Sequence, residues 1–283
     1  MHLRQALAQA RRTLAEVSDS PASDARLLLA DSLGETPTWV MAHDDKDLPA
    51  DAERRLQDRL GRCARGEPLP YVLGWWEFYG RRFAVTPEVL IPRPETEQIV
   101  ERALAALRNR RPAARVIDVG TGSGCVAISL ACEMPALTVV ATDLSRGALE
   151  VARTNARAHQ VAARVRLVQG SLLAAVAGPW DIVCANLPYV PTSRLGRLPV
   201  AEHEPRLALD GGPQGTGVMI GLVDDLGRCL APGGLALMEI DETQGEAVAS
   251  AARQALPGTR VEIRPDLAGR PRLIEARRGG YAD

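Results

Sequence analysis

The sequence predicts an α/β fold, a doubly wound and mainly parallel sheet behind a small N-terminal helical domain. From Arg115 onward, strand-like apolar runs alternate with segments of helical periodicity, the pattern of a sheet covered by helices. Up to about residue 72 the chain reads as helices, and Gly66-Glu67-Pro68-Leu69-Pro70 reads as the linker between the two regimes. The expected division is a helical domain over 1–72, a linker and β-hairpin over 73–93, and an α/β domain over 94–283.

In the first segment Leu3, Leu14, Ala25, Leu28, Leu29, Leu56 and Leu60 recur at helical spacings, interrupted by Ser20-Pro21, Gly34, Pro37 and Pro49. These residue types promise no catalysis. Two uses stand side by side, a bundle that grips a partner and a structural cap. His43, beside Asp44, Asp45 and Asp47, reads as a solvated loop, because a metal site needs convergent ligands that one histidine does not supply. Next, Trp75 to Tyr79 and Arg82 to Val85, separated by Gly80-Arg81, predict a hairpin. In Leu90-Ile91-Pro92-Arg93-Pro94-Glu95-Thr96-Glu97, Pro94 suits the first turn of a helix, with Glu95 and Glu97 at its positive end.

The predicted strands of the sheet are Val116–Val119, Leu137–Thr142, Val165–Val168, Trp180–Ala185 and Gly234–Ile240. Val261–Ile263 and Arg272–Glu275 follow with only a short Pro/Gly loop between them, so at least one late strand is expected to be antiparallel.

The 283 residues are enough for one large domain or two with separate cores, and 46% hydrophobic with 24% charged residues is a soluble globular composition. A net charge of -1 argues against a protein wrapped along a polyanion. Arginine carries nearly all the positive charge, since Lys46 is the only lysine. Cys63, Cys125, Cys132, Cys184 and Cys229 stand singly among apolar residues and read as buried free thiols of a reducing compartment. The first residues lead into an amphipathic polar helix rather than a secretory signal, and no run has the length to span a bilayer. A cytoplasmic location, no membrane partner and a monomer are expected.

Two stretches carry chemistry. After the first strand of the sheet, Asp118-Val119-Gly120-Thr121-Gly122-Ser123-Gly124 places glycines at alternate positions, so the backbone can take positive φ and a ligand can approach without meeting a Cβ. A dinucleotide fingerprint would put its third glycine where Cys125 stands, and a Walker loop would need a lysine. The second stretch, Asn186-Leu187-Pro188-Tyr189, ends an apolar strand at the edge where open α/β sheets keep their ligands. The Asn186 side-chain oxygen and the Leu187 carbonyl can each accept one N–H, Pro188 fixes the bend, and the Tyr189 ring can cover a planar group. The set suits a flat substrate with an NH2 group, although Asn and Pro also form ordinary turns.

The G-x-G-x-G spacing after an acid resembles motif I of the class I S-adenosyl-L-methionine-dependent methyltransferases, which have a Rossmann-like fold. That resemblance implies cofactor contacts from Gly120, Thr121, Gly122, Ser123 and Gly124, and from Asn186 across the site. Asp143, at the end of the next strand, would accept hydrogen bonds from both ribose hydroxyls. Its alternative is a helix N-cap. Ser171 stands where many relatives carry an acid for the adenine amino group, so the resemblance implies an adenine contact from the backbone there or with help from Leu172. With Asn186-Leu187-Pro188-Tyr189 in the same sheet, the chain is similar to the PrmC/HemK family, the protein-(glutamine-N5) methyltransferases of peptide chain release factors. The segment Ile91 to Glu97 and Glu204-Pro205-Arg206-Leu207-Ala208-Leu209 followed by Gly211-Gly212 carry the narrower likeness.

The resemblance implies catalytic roles for Asn186, Leu187, Pro188 and Tyr189, S-adenosyl-L-methionine as cofactor and release factors as protein substrates in translation termination. Direct nucleic-acid binding and a metal are not expected. Leu187 replaces the family's usual proline and still offers its carbonyl. Asn-Leu-Pro-Tyr also occurs in rRNA adenine-N6 dimethyltransferases, so an adenine-N6 methyltransferase acting on RNA or DNA is the alternative. Those enzymes are usually basic and carry their extra domain after the catalytic one, which favours the protein substrate. A cofactor-binding module without catalysis is a further rival. Glu204 and Arg206 are expected to brace the substrate loop, and Gly211 to Gly217 reads either as a lid or as a helix lead-in.

Overall fold

The computed structural model describes residues 1–108 and 114–280, so parts of the segment expected over 94–283 lie outside the described residues. The chain divides into two compact units, Met1–Trp75 and Trp76–Asp283.

The first unit holds α1 (Leu3–Leu14), α2 (Pro21–Leu33), α3 (Pro37–Ala42), α4 (Ala50–Ala64) and α5 (Leu69–Leu73). In α1 the buried residues Leu3, Ala6, Ala10 and Leu14 fall three or four apart, one stripe of a helix. Proline opens α2 and α3 at their first helical position, where its missing N–H is not needed. Gly34 ends α2 with φ 74°, a left-handed cap that costs a glycine nothing. His43 stacks on Trp39, with ring centroids 4.3 Å apart.

The hairpin of β1 (Trp75–Phe78) and β2 (Arg81–Ala84) follows. Its turn is Tyr79-Gly80 rather than Gly80-Arg81. Both residues have positive φ, 51° and 67°, the geometry that matches the twist of two-residue hairpins. A short 3-10 turn, Pro94–Thr96, then leads into α6 (Glu97–Leu107), with Pro94 at the entry as the sequence predicts.

The sheet follows as β3 (Val116–Val119), α7 (Cys125–Glu133), β4 (Val139–Asp143), α8 (Arg146–Ala158), β5 (Val165–Gln169) and β6 (Trp180–Ala185). After α9 (Thr192–Leu195) and α10 (Arg206–Leu209) come α11 (Gly217–Cys229), β7 (Leu230–Glu239), α12 (Gly245–Ala255), β8 (Arg260–Pro265) and β9 (Pro271–Arg277). Among the described residues the sheet has seven strands in the order β5-β4-β3-β6-β7-β9-β8. The first four junctions are parallel, and β9 runs antiparallel to both β7 and β8. β4 starts at Val139 and not Leu137, whose N–H bonds back to the Met134 carbonyl in a turn.

Both faces are dry, and alternation along each strand sorts its residues between them. Ile182 and Cys184 of β6 join the core beneath α6 and α7, while Val183 and Ala185 join the core beneath α11 and α12. Four of the five cysteines are buried and Cys132 is half-buried, a departure from five buried thiols that follows from its place near the end of α7.

Candidate active site

At the carboxyl ends of β3, β4, β5 and β6 the second unit opens into a cavity of about 640 Å³, within the ~300–1,000 Å³ typical of small-ligand clefts. Gly120, Thr121, Gly122, Ser123, Asp143, Ser171, Leu172, Asn186, Leu187 and Pro188 all line it. Gly124 and Tyr189 do not. Gly124, with φ 83°, sits one step behind as the N-cap of α7, where a Cβ would come within 2.8 Å of Ile128 Cδ1.

The glycine turn is built from short bonds. The Gly120 and Thr121 amides both donate to the Thr142 carbonyl at 2.9 Å, which carries the turn across to β4. Thr121 Oγ1 donates to Asp118 Oδ2 at 2.7 Å, and the Ala127 amide of α7 donates to the same oxygen at 3.2 Å. Asp118 thus pins the turn, while it also borders the cavity. Burial pushes its carboxyl up to about 6, and the Thr121 and Ala127 bonds hold it back. Gly120 has φ 71°, and a Cβ there would lie 2.7 Å from Leu187 Cδ2. At Gly122, φ 55°, a Cβ would meet nothing within 4 Å, so the turn leaves open space at that point.

Asp143 Oδ2 accepts from the Gly122 amide at 2.9 Å and Oδ1 from the Ser145 amide at 2.8 Å. Two carboxylate oxygens offer about four acceptor positions, so these bonds leave capacity unused. Burial raises its pKa, against hydrogen bonds from Gly122, Ser145 and Leu144 that lower it. The N-cap of α8 is Ser145, whose Oγ accepts from the Ala148 amide at 3.2 Å, so Asp143 is not the cap. Beyond β5, Ser171 is exposed, and Leu172 takes φ 49° with its carbonyl accepting from Thr142 Oγ1 at 3.2 Å.

Across the cavity, Asn186 Nδ2 donates to Thr96 Oγ1 at 2.9 Å, and Thr96 Oγ1 donates to Glu239 Oε2 at 2.7 Å. Its Oδ1 accepts no hydrogen bond among the described residues. The Leu187 side chain is buried against the glycine turn and the core beneath α11, which leaves its carbonyl as the group it can offer a ligand. Tyr189 is set back from the cavity. Its carbonyl accepts from Gln244 Nε2 at 2.7 Å, and burial, with Glu239 nearby, pushes its phenol up to about 12.

The remaining wall comes from the segment before α6 and from the loop around α10. Arg93 lines the cavity and pairs with the buried Glu204, whose other oxygen accepts from the Ile91 amide at 3.2 Å. Arg206 pairs with Asp210 at 3.0 Å. Gly211 packs so that a Cβ would be 2.4 Å from the Gly215 carbonyl oxygen and 2.7 Å from that of Pro188, a tight turn that feeds α11. Sequence reasoning missed Thr96, Glu239 and Asn155. Asn155 Nδ2 donates to the Ser123 carbonyl at 2.8 Å and the Ala84 carbonyl at 3.0 Å, and its Oδ1 accepts from the Ala84 amide at 2.7 Å. Two of them left a signal, a polar residue in an apolar stripe: Asn155 among Ala148, Ala152 and Ala156 of α8, and Glu239 at the end of Leu235 to Met238. Among the described residues no three His, Cys, Asp or Glu side chains form a metal-binding group, and no helix is long and apolar enough to cross a membrane.

This strand order, with its antiparallel final pair and a cavity at the carboxyl ends of the parallel strands, is that of a class I S-adenosyl-L-methionine-dependent methyltransferase. Residues 5–74 match the family described as PrmC N-terminal domain, and residues 100–197 match the Methyltransferase small domain. The chain is 41% identical over 282 residues to the release factor glutamine methyltransferase of Deinococcus radiodurans, covering 99% of this chain and 100% of that one. It is 42% identical over 281 residues to the protein of the same name from Moorella thermoacetica, covering 98% and 99%. In fold it is similar to a methyltransferase from Pyrococcus furiosus, with a TM-score of 0.52 at 17% identity over 79% of this chain and 99% of that one. The chain belongs to the release factor glutamine methyltransferase family. Its methyl donor is S-adenosyl-L-methionine.

Proposed function

We propose that this protein methylates the side-chain amide nitrogen, N5, of a glutamine in a peptide chain release factor. The observation that carries the proposal is the orientation of Asn186: its NH2 is committed to Thr96, and its oxygen is left as a free acceptor on the wall of the cavity.

The residues present fit the donor. Gly122 leaves space where a side chain would stand, and the Asp143 carboxylate keeps capacity for hydroxyl donors, as two adjacent ribose hydroxyls require. When bound, S-adenosyl-L-methionine supplies an electrophilic methyl group on a sulfonium centre.

The protein's own part is positioning. An amide nitrogen is a poor nucleophile because its lone pair is delocalised into the carbonyl. Asn186 Oδ1 and the Leu187 carbonyl would each accept one N–H of the glutamine side chain. They would fix the direction of the nitrogen and stabilise the positive charge that grows on it. Pro188 keeps the turn bent so that the preceding carbonyl stays presented. Tyr189, set back from the cavity, would offer its ring face to the amide plane once substrate is in place. Ser171 and Leu172 would flank the adenine end, with the Gly120 to Gly124 turn and Asp143 under the methionine and ribose.

Incubation with release factor and methyl donor, followed by mass-spectrometric mapping, should place one added methyl on one glutamine, with no transfer to RNA in a parallel arm. Asn186→Ala should lower kcat by roughly 100- to 1,000-fold, by analogy with the loss of one charge-stabilising hydrogen-bond partner elsewhere. Near-normal transfer by a folded Asn186→Ala protein would sink this role.

A further inference from the structure

We infer that Thr96 and Glu239 are positioning residues for the transfer, a two-link relay whose protonation state decides which atom of the Asn186 amide faces the substrate. The inference rests on the role proposed for Asn186.

The geometry has one consistent set of hydrogens. An ionised Glu239 can only accept, so the Thr96 hydroxyl must point its hydrogen at Oε2, 2.7 Å away. Thr96 Oγ1 then has only lone pairs for its other neighbour, and the Asn186 group 2.9 Å away must be the NH2. The Asn186 oxygen is thereby turned to the cavity, where it can accept from the substrate. With Glu239 protonated, the carboxylic acid can donate to Thr96, the hydroxyl hydrogen is free to point at Asn186, and the amide can turn over. An NH2 then meets the NH2 of the substrate, donor against donor.

The relay is buried, with Thr96 2% and Glu239 1% exposed, in a setting that strengthens its hydrogen bonds. Burial pushes the Glu239 carboxyl up to about 7, while the Thr96 bond, Arg272 and Arg93 draw it down and Glu95 draws it up. These groups come from the 3-10 turn before α6 and from β9. Tyr189 beyond β6 and Cys125 at the start of α7 also face it, and both stay neutral because burial raises them to about 12. Glu239 is therefore the group of this cluster that changes charge near neutral pH.

The test is kcat for methylation of intact release factor, followed from below to above pH 7, for wild type, Thr96→Val, Thr96→Ser, Glu239→Gln and Asn186→Ala. Binding of S-adenosylhomocysteine and thermal melting are measured alongside. Wild-type kcat should rise with pH through a midpoint near 7. Glu239→Gln should lose that rise and run roughly tenfold below the wild-type plateau, because a glutamine can face Thr96 with either end. Thr96→Val should also be low and flat, and Thr96→Ser, which keeps the hydroxyl, should restore both rate and profile. Cofactor-product affinity should stay within about twofold in the Thr96 and Glu239 variants, which a general loss of structure would not give. Should Glu239→Gln not fold, the contrast between Thr96→Val and Thr96→Ser carries the same decision. An inactive Asn186→Ala beside Thr96→Val and Glu239→Gln proteins with wild-type rate and profile overturns the relay and leaves the proposed function standing. An active Asn186→Ala overturns the reading beneath it.

Discussion

The glycine turn over β3 is held by partners close along the chain, whereas Asn186 at the end of β6 takes its orientation from residues far away. Thr121 bonds to Asp118 three positions back, and the Gly122 amide to Asp143, 21 positions on. Asn186 bonds to Thr96 across 90 positions, and Thr96 to Glu239 across 143. The first wall is set by a local motif and its neighbouring strand. The second forms only when α6, β6 and β7 are packed together. A cofactor cradle can therefore be assembled from one strand-turn-helix unit and the strand beside it, while the aim of the acceptor is a property of the finished sheet.

The comparison can be broken first at Asp143. Asp143→Ala should weaken cofactor affinity by more than 100-fold, since two hydrogen bonds to a carboxylate contribute roughly 1.5 to 3 kcal/mol each, and calorimetric titration with S-adenosylhomocysteine reads it. A loss below tenfold would mean that the ribose is held elsewhere.

Next in size is the pH dependence of stability at Glu239. Its pKa moves from 4.5 to about 7 on folding, so the folded protein binds the proton more tightly than the unfolded chain. Wild-type stability should fall as pH rises through that window and level off above it; Asp118 and Asp143, also raised by burial, give both proteins a shared part of that fall, and Glu239 adds about 3 kcal/mol that Glu239→Gln should not show. Urea titrations of both proteins at several pH values provide the measurement, and parallel curves would refute the shift.

Asn155 sharpens the contrast, because it ties the glycine turn to β2, a longer-range support than the rest of that wall. Asn155→Ala should cost about 2 kcal/mol of stability by stranding the part-buried Ala84 amide and the buried Ser123 carbonyl. An effect on cofactor affinity without one on stability would contradict the bracing role. The smallest effect is expected at Ser171, which is exposed and whose side chain makes no hydrogen bond among the described residues. Ser171→Ala should change cofactor affinity by less than about twofold, within the usual range for such surface positions.

The same division explains what the sequence made legible. Gly120 to Ser123, Asp143 and Asn186 to Pro188 could be found because their meaning lies in spacing within a strand-turn-helix unit, and the structure brings them to one cavity. Pro94 could be placed at a helix entry for the same local reason, yet the neighbouring Thr96 carried no local sign of its contact with Asn186. Glu239 read as the continuation of a strand. Its partner is chosen by how β7 lies against the turn before α6, and periodicity carries no information about that. The hairpin turn was displaced by one residue because Tyr79 accepts a left-handed φ that its residue type does not advertise.

Leu187 rests its Cδ2 where a methyl group on position 120 would have to go. The two positions share one small volume although they belong to different motifs, so neither can drift independently over evolutionary time. A lineage that puts a slimmer residue at 187 gains room to vary at 120 only as far as the positive φ there allows. One that enlarges 187 is bound to glycine twice over, by backbone and by neighbour.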